Sequence, residues 1–160
     1  MEMTVKSTQA LNIGTLIRSA ARRTITVAEQ YAAPVLDLAI RVWVAKAFFL
    51  SGLTKIQSWD STLALFENEY QVPLLPPELA AYIGTFTELF FPMLLVLGLG
   101  TRFAAGVLFV FNIIAVISYP DLSEAGLKDH HYWGLLLLVT LLHGPGKISV
   151  DHFIRRRFGL

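Results

Sequence analysis

Apolar residues fall into four runs along the chain, and isolated polar residues punctuate them. The first run goes from Pro34 to about Leu53 and is interrupted by Asp37, Arg41 and Lys46. The second, Leu79 to Leu97, carries one charge, Glu88. Gly98-Leu99-Gly100-Thr101-Arg102 then supplies two helix-breaking glycines and a cation. The third run, Phe103 to Tyr119, has Asn112 near its centre and stops at Pro120 and Asp121. The fourth goes from about His131 to His143 and ends at Gly144-Pro145-Gly146, a helix stop. A spanning helix needs about 20 apolar residues. The pattern therefore predicts an all-α fold: a polytopic membrane four-helix bundle with spans at about 35–54, 79–97, 102–119 and 129–144. The fourth apolar core is short, so it extends back toward Lys128 or is shielded by its neighbours.

Three segments lie outside these runs. Residues 1–34 place Arg18, Arg22 and Arg23 among Leu11, Ile13, Leu16, Ile17 and Ile25, the spacing of an amphipathic helix on a membrane surface. That arm has no apolar core of 7–15 residues and no small-residue cleavage site, so it does not read as a secretory signal. Between Thr54 and Glu78, Trp59, Leu63, Phe66 and Tyr70 recur at helical spacing. They predict a short surface helix with an aromatic face at the headgroup level. Pro73, Pro76 and Pro77 then make a stiff re-entry into the second span. Residues 148–160 form a basic tail, which leaves 35–147 as the membrane domain.

Composition agrees with this reading. The chain is 54% hydrophobic and 16% charged, whereas soluble domains have about 25% charged residues. The 160 residues allow one compact unit. A net charge of +1 gives no reason to expect nucleic acid. With no cysteine, the chain itself offers no disulfide, no CxxC redox couple and no thiolate metal site. The placement of cations is more telling. The N-terminal arm, the 98–102 turn and the C-terminal tail hold nine Lys and Arg, while the other two loops hold Lys55 and Lys128 against seven acids. Cations stay on the cytoplasmic side, so both termini are expected there. An even number of spans follows.

Charges inside a span are costly, about 2.5–3.5 kcal/mol at the bilayer centre, and usually face the bundle interior. At about 100° per residue, Asp37, Arg41, Phe48, Gly52 and Lys55 form one stripe, with Asp37 and Arg41 spaced as an i,i+4 ion pair. Lys46 falls on the opposite face and must snorkel, meet another span or meet another protein. On the second span, Ala81, Gly84, Thr85 and Pro92 share the face of Glu88, and Pro92 cannot donate to the Glu88 carbonyl. Thr101, Ala105, Asn112 and Tyr119 share a face of the third span, and Trp133 and Thr140 share one on the fourth. Bringing these faces together predicts that Glu88 meets Arg41 or Lys46, with Asn112 nearby. Such a cluster is a staple fixing helix register, a polar pocket for a quinone headgroup, a proton path or a small ligand, or a subunit contact.

His130 and His131 lie at one end of the fourth span and His143 at the other. About 18 Å of helix separates them, so they cannot share a metal. They read as interfacial residues flanking Trp133, as a proton-exchanging or quinol-binding group at the outer surface, with His131 the one that would move protons, or, last, as metal or haem ligands. No GxSxG, Walker, GxGxxG or HExxH motif occurs. Ser149, Asp151 and His152 make only a chance-level triad.

Several stretches together resemble the DoxX family. They are Arg41 followed by Phe49-Leu50-Ser51-Gly52-Leu53-Thr54-Lys55-Ile56, the Val72-Pro73-Leu74-Leu75-Pro76-Pro77 re-entry, and Glu88 with Pro92. Leu97 to Arg102 and Gly144 to Asp151 complete the set, which covers roughly 35 to 155 and excludes the N-terminal arm. The resemblance implies a four-helix protein of the bacterial cytoplasmic (inner) membrane. It also implies association with oxidoreductase assemblies, including a thiosulfate:quinone oxidoreductase, with thiol and superoxide defence, or with copper-stress systems. It implies no agreed catalytic residues.

Three functions follow as expectations. The first is a redox-complex subunit that binds a quinone in a pocket drawn from Asp37, Arg41, Lys46, Lys55, Glu88, Asn112 and His131. Arg41 and Lys46 would steady negative charge on the headgroup, and Glu88 or His131 would move protons. The second is a non-catalytic scaffold for redox or metal-stress partners, or for further copies of the chain in a homo-oligomer. The third is a small-solute transporter, for which repeats and broken helices are expected. No repeat is visible, and Pro92 is the one strong break.

Overall fold

A computed structural model describes residues 13–159, and those residues contain helices and no strand. The chain divides into two units at Ala33 and Pro34. In the first, α1 (Ile13–Val27) leads into a π-helical turn, Ala28–Ala32. Lys6 and Leu11 of the arm lie outside the described residues.

The second unit contains the long helices α2 (Ala33–Gln57, from Pro34 on), α4 (Pro77–Leu97), α5 (Thr101–Ser118) and α6 (Glu124–His143). Two short helices accompany them, α3 (Trp59–Asn68) and α7 (Val150–Phe158). Helices α4 and α5 are long and apolar enough to cross a membrane. Their ends fall within two residues of the expected 79–97 and 102–119 spans. Pro77 opens α4 at its first turn, where its missing N–H costs nothing. Gly98 closes α4 at φ +69°, a conformation in which a side chain would be strained. Gly100 then starts α5 from another left-handed position.

The packing is inside out relative to a soluble bundle. Large apolar side chains such as Trp43, Phe86, Met93, Phe103, Ile117 and Leu142 are exposed, while Arg41, Glu88, Thr101, Asn112 and Thr140 are buried. Among the buried apolar residues, Ala45, Ala104 and Ala105 are small, which lets helices approach closely where lipid gives no hydrophobic drive. Gly52 shows the tolerance: a Cβ there would lie 2.9 Å from the Leu89 side chain.

Three local expectations are revised. First, α3 does not present its aromatic face outward. Phe66 is buried with Ala80 and Ala81 of α4, flanked by Trp59, Leu63 and Tyr70. The Thr62 hydroxyl donates to the Lys55 carbonyl at 3.0 Å and holds α3 on the end of α2. Second, the C-terminal segment from 148 docks on the domain as α7, whose Asp151 caps α5: it accepts from the N–H of Gly100 (2.8 Å) and of Thr101 (2.9 Å). Third, Asp37 and Arg41 turn to different partners. Asp37 lies 3.2 Å from His143 Nδ1. The Arg41 guanidinium donates to the carbonyls of Leu95 (2.9 Å), Val96 (3.1 Å) and Ile148. A cation goes to that place because the last carbonyls of α4 lack intrahelical donors and carry the negative end of the helix dipole.

Candidate functional site

The polar groups of the second unit separate into two layers. One is the structural layer around Arg41 and Asp151, at the end where α4 meets α5. The other lies at the opposite end, where α2 and α5 finish and α4 and α6 begin.

There Lys55 and Glu88 form an ion pair of 2.7 Å. Lys55 Nζ also donates to Glu88 Oε1 (2.9 Å) and to Ser51 Oγ (2.9 Å), and Ser51 Oγ donates to Glu88 Oε1 (3.1 Å). The expected partners of Glu88 were Arg41 or Lys46, and neither is at its level. Helices α2 and α4 run antiparallel with Ser51 and Gly52 beside Glu88 and with Arg41 beside Gly98. An Arg41–Glu88 pair would need a slide of ten residues, about 15 Å. Lys55 shares the Asp37–Arg41 stripe, and it reaches Glu88 because α2 stays helical through Gln57. Lys46 is exposed on the other face of α2, in a shallow groove with Asp129 and Tyr132.

Beside the Lys55–Glu88 pair is a cavity of about 300 Å³ bounded by α2 to α6. Its walls include Phe48, Phe66, Phe111 and Trp133, with Tyr70 and Tyr119 toward the end. Phe48 packs against Phe111 at 6.2 Å and Trp133 at 5.8 Å between ring centroids, so the aromatic walls brace one another. Tyr70 meets Tyr119 edge-on at 5.2 Å. Burial pushes the Tyr70 phenol above its ordinary pKa, and Tyr119, Glu88 and Glu69 add to the effect, so it stays neutral.

A second polar pair lies in the wall at α5 and α6. His130 Nδ1 is 2.8 Å from Asn112 Oδ1, and Asn112 Nδ2 donates to the His130 carbonyl at 3.0 Å. Ser118, also a wall residue, is 4% exposed. Among the described residues its hydroxyl has no hydrogen-bond partner. Of the seven residues expected in one pocket, the cavity wall takes Lys55 and Glu88, and Asn112 sits one bond behind it through His130. Asp37 and Arg41 belong to the far end, and Lys46 and His131 are exposed. The expected pocket left out His130, Ser51 and Ser118, which the structure places at it. A helical projection of α6 relative to Asn112 is the signal that separates His130 from His131, since the two point about 100° apart.

The DoxX family model matches residues 36–120. An "Uncharacterized protein" of Haemophilus influenzae is 31% identical over 128 residues, 74% of this chain and 83% of its own. The Bacillus subtilis protein named "Putative oxidoreductase CatD" is 30% identical over 120 residues, 73% of this chain and 85% of its own. The Escherichia coli "Inner membrane protein YphA" is 35% identical over 132 residues, 75% of this chain and 91% of its own. No solved structure matches the chain. The chain belongs to the DoxX family, and it is a protein of the bacterial inner membrane.

Proposed function

We propose that the chain is a four-span subunit of a membrane redox assembly, with both termini cytoplasmic, and that its cavity holds a quinone headgroup. Length supports the two further crossings. Helix α2 has 25 residues and α6 has 20, about 37 and 30 Å, against a hydrocarbon core of about 30 Å. Two of the charges that make α2 less apolar are also accommodated: Arg41 is 1% exposed and bonded to carbonyls, and Lys55 is paired with Glu88. Under the Lys and Arg asymmetry, the cavity opens toward the outer leaflet.

The observation that carries the quinone reading is the character of the cavity. About 300 Å³ is at the low end for ligand pockets and suits a one-ring headgroup, with its tail lying outside. Aromatic walls accept a flat ring, and a few placed polar groups orient it. A bound quinone supplies the electron-carrying chemistry, while these side chains bind, orient and exclude water. The name of the Bacillus relative points the same way. Because the chain has no cysteine, any thiol chemistry of the assembly would reside on a partner.

Purification from native membranes tests this. Co-purifying quinone, less abundant in Glu88→Gln protein that still folds, is the expected result. Protein that carries no quinone and fails to bind ubiquinone and menaquinone analogues overturns the reading. If Glu88→Gln lowers only the melting temperature, the Lys55–Glu88–Ser51 cluster is an interhelical staple. Saturated bonding within that cluster favours this second reading.

A further inference from the structure

The polar groups of the cavity differ in what they can still offer a ligand. The three ammonium hydrogens of Lys55 meet three acceptors: Ser51 Oγ at 2.9 Å, Glu88 Oε1 at 2.9 Å and Glu88 Oε2 at 2.7 Å. The one hydrogen of Ser51 goes to Glu88 Oε1. The cluster has no hydrogen left to donate. The hydroxyls of Ser118, Tyr70 and Tyr119 can either donate or accept, so they do not discriminate between ligands.

His130 is different, because its state is set from behind. The Asn112 amide nitrogen donates to the His130 carbonyl, so the other amide atom facing the ring is the oxygen. An amide oxygen only accepts, so His130 Nδ1 must carry the proton. The neutral ring then has a lone pair on Nε2, an acceptor that cannot donate. Trp133 packs edge-on against the imidazole at 4.9 Å and limits its rotation. Gly134 makes room for the arrangement, since a Cβ there would sit 3.2 Å from Asn112 Nδ2.

We infer that the cavity selects the reduced, hydroxyl-bearing form of its ring ligand. His130 Nε2 accepts from a ligand hydroxyl, Ser118 Oγ bonds a second ring oxygen, and Asn112 is the positioning residue that fixes the tautomer. The inference rests on the quinone reading and deepens it. An oxidised quinone has carbonyl acceptors only, so it would set acceptor against acceptor at His130. A hydroquinone supplies the donor. Leaving a buried acceptor facing another acceptor is the mismatch that binding sites reject most strongly.

The test compares a short-chain ubiquinone analogue with its hydroquinone, bound anaerobically to the full chain in detergent. The hydroquinone should bind tighter by about tenfold or more. His130→Phe keeps the ring contact with Trp133 and should abolish the preference. Asn112→Leu should shrink the preference by freeing the tautomer, while Ser118→Ala should weaken both forms alike. Nitrogen-15 NMR of histidine-labelled wild-type protein reads the tautomer without any variant, and the Nδ1-protonated form is expected. Equal affinity for the two forms, or an Nε2-protonated His130, overturns the inference while leaving the quinone reading intact. Failure of both forms to bind overturns the two together.

Discussion

Arg41 and Asp151 are the two polar residues most committed to holding the fold. Arg41 bridges carbonyls from α4 and from the segment after α6, elements far apart in sequence. Replacing it with Met removes three charge-assisted hydrogen bonds and leaves Leu95 only the 3.3 Å bond from the Gly98 N–H, at a cost of about 3 kcal/mol. We expect a large fall in melting temperature in detergent, and Lys should restore little of it because an ammonium cannot reproduce the planar fork. A melting temperature unchanged in Arg41→Met would remove this role. Asp151 makes a prediction in pH. Burial alone would raise its carboxyl, but hydrogen bonds from the Thr101 N–H, the Gly100 N–H and the Thr101 hydroxyl outweigh that, and Arg155 adds to them. The carboxyl is therefore held below its ordinary range. A depressed carboxyl contributes stability above the unfolded value of about 3.9, and that stability is lost as pH falls through the folded value. Melting curves from pH 7 down to 3 should show a steeper acid loss for wild type than for Asp151→Asn, and parallel curves would refute it. Both residues were visible in the sequence, Arg41 as a buried charge and Asp151 within a family-like stretch. Their partners were not, because those partners are backbone atoms that any residue type presents.

At the level of elements, the decisive quantity is the register of α2 against α4. Helical periodicity put Asp37, Arg41 and Lys55 on one stripe and Glu88 on the polar face of its own helix, and the structure places Lys55 and Glu88 together. Periodicity fixes the angle around a helix and leaves the slide along it open. The slide is set here by close approach at Gly52 and by Arg41 reaching the end of α4. Gly52→Ala tests this directly. Its Cβ would come 2.9 Å from Leu89 and 3.1 Å from Glu88 Cβ, so the helices must part or the side chains shift. Overpacking of this kind costs about 1–3 kcal/mol, and the melting temperature should fall. The larger Gly52→Leu should lower it further and also impair any ligand binding that depends on the Lys55–Glu88 pair. An Ala variant as stable as wild type would show that the contact is slack. Helix α3 teaches a related lesson. Its aromatic spacing predicted a helix correctly, but an amphipathic face does not say whether lipid or a neighbouring helix covers it.

At the scale of the whole molecule, the inverted distribution of polar and apolar residues makes a bundle suited to lipid, and the remaining question is its direction. The absence of cysteine makes a labelling experiment clean. Exposed Asn68 follows α2, and exposed Arg157 is near the C-terminus. Asn68→Cys should react with a membrane-impermeant maleimide in intact spheroplasts, and Arg157→Cys should react only after permeabilisation. The reverse pattern would invert the topology and turn the cavity toward the cytoplasm.

By itself the sequence determined what depends on composition and local spacing. The chain is helical, it belongs in a membrane, and its buried charges gather on particular helix faces. Those properties follow from transfer energies and from the 3.6-residue turn, which act residue by residue. Only the tertiary structure decided which charge meets which. Lys55 took the partner expected for Arg41 or Lys46, His130 took the wall position expected for His131, and Asn112 came to bond His130 from the neighbouring helix. These outcomes depend on translation between helices and on contacts to backbone carbonyls, neither of which leaves a periodic trace in the chain.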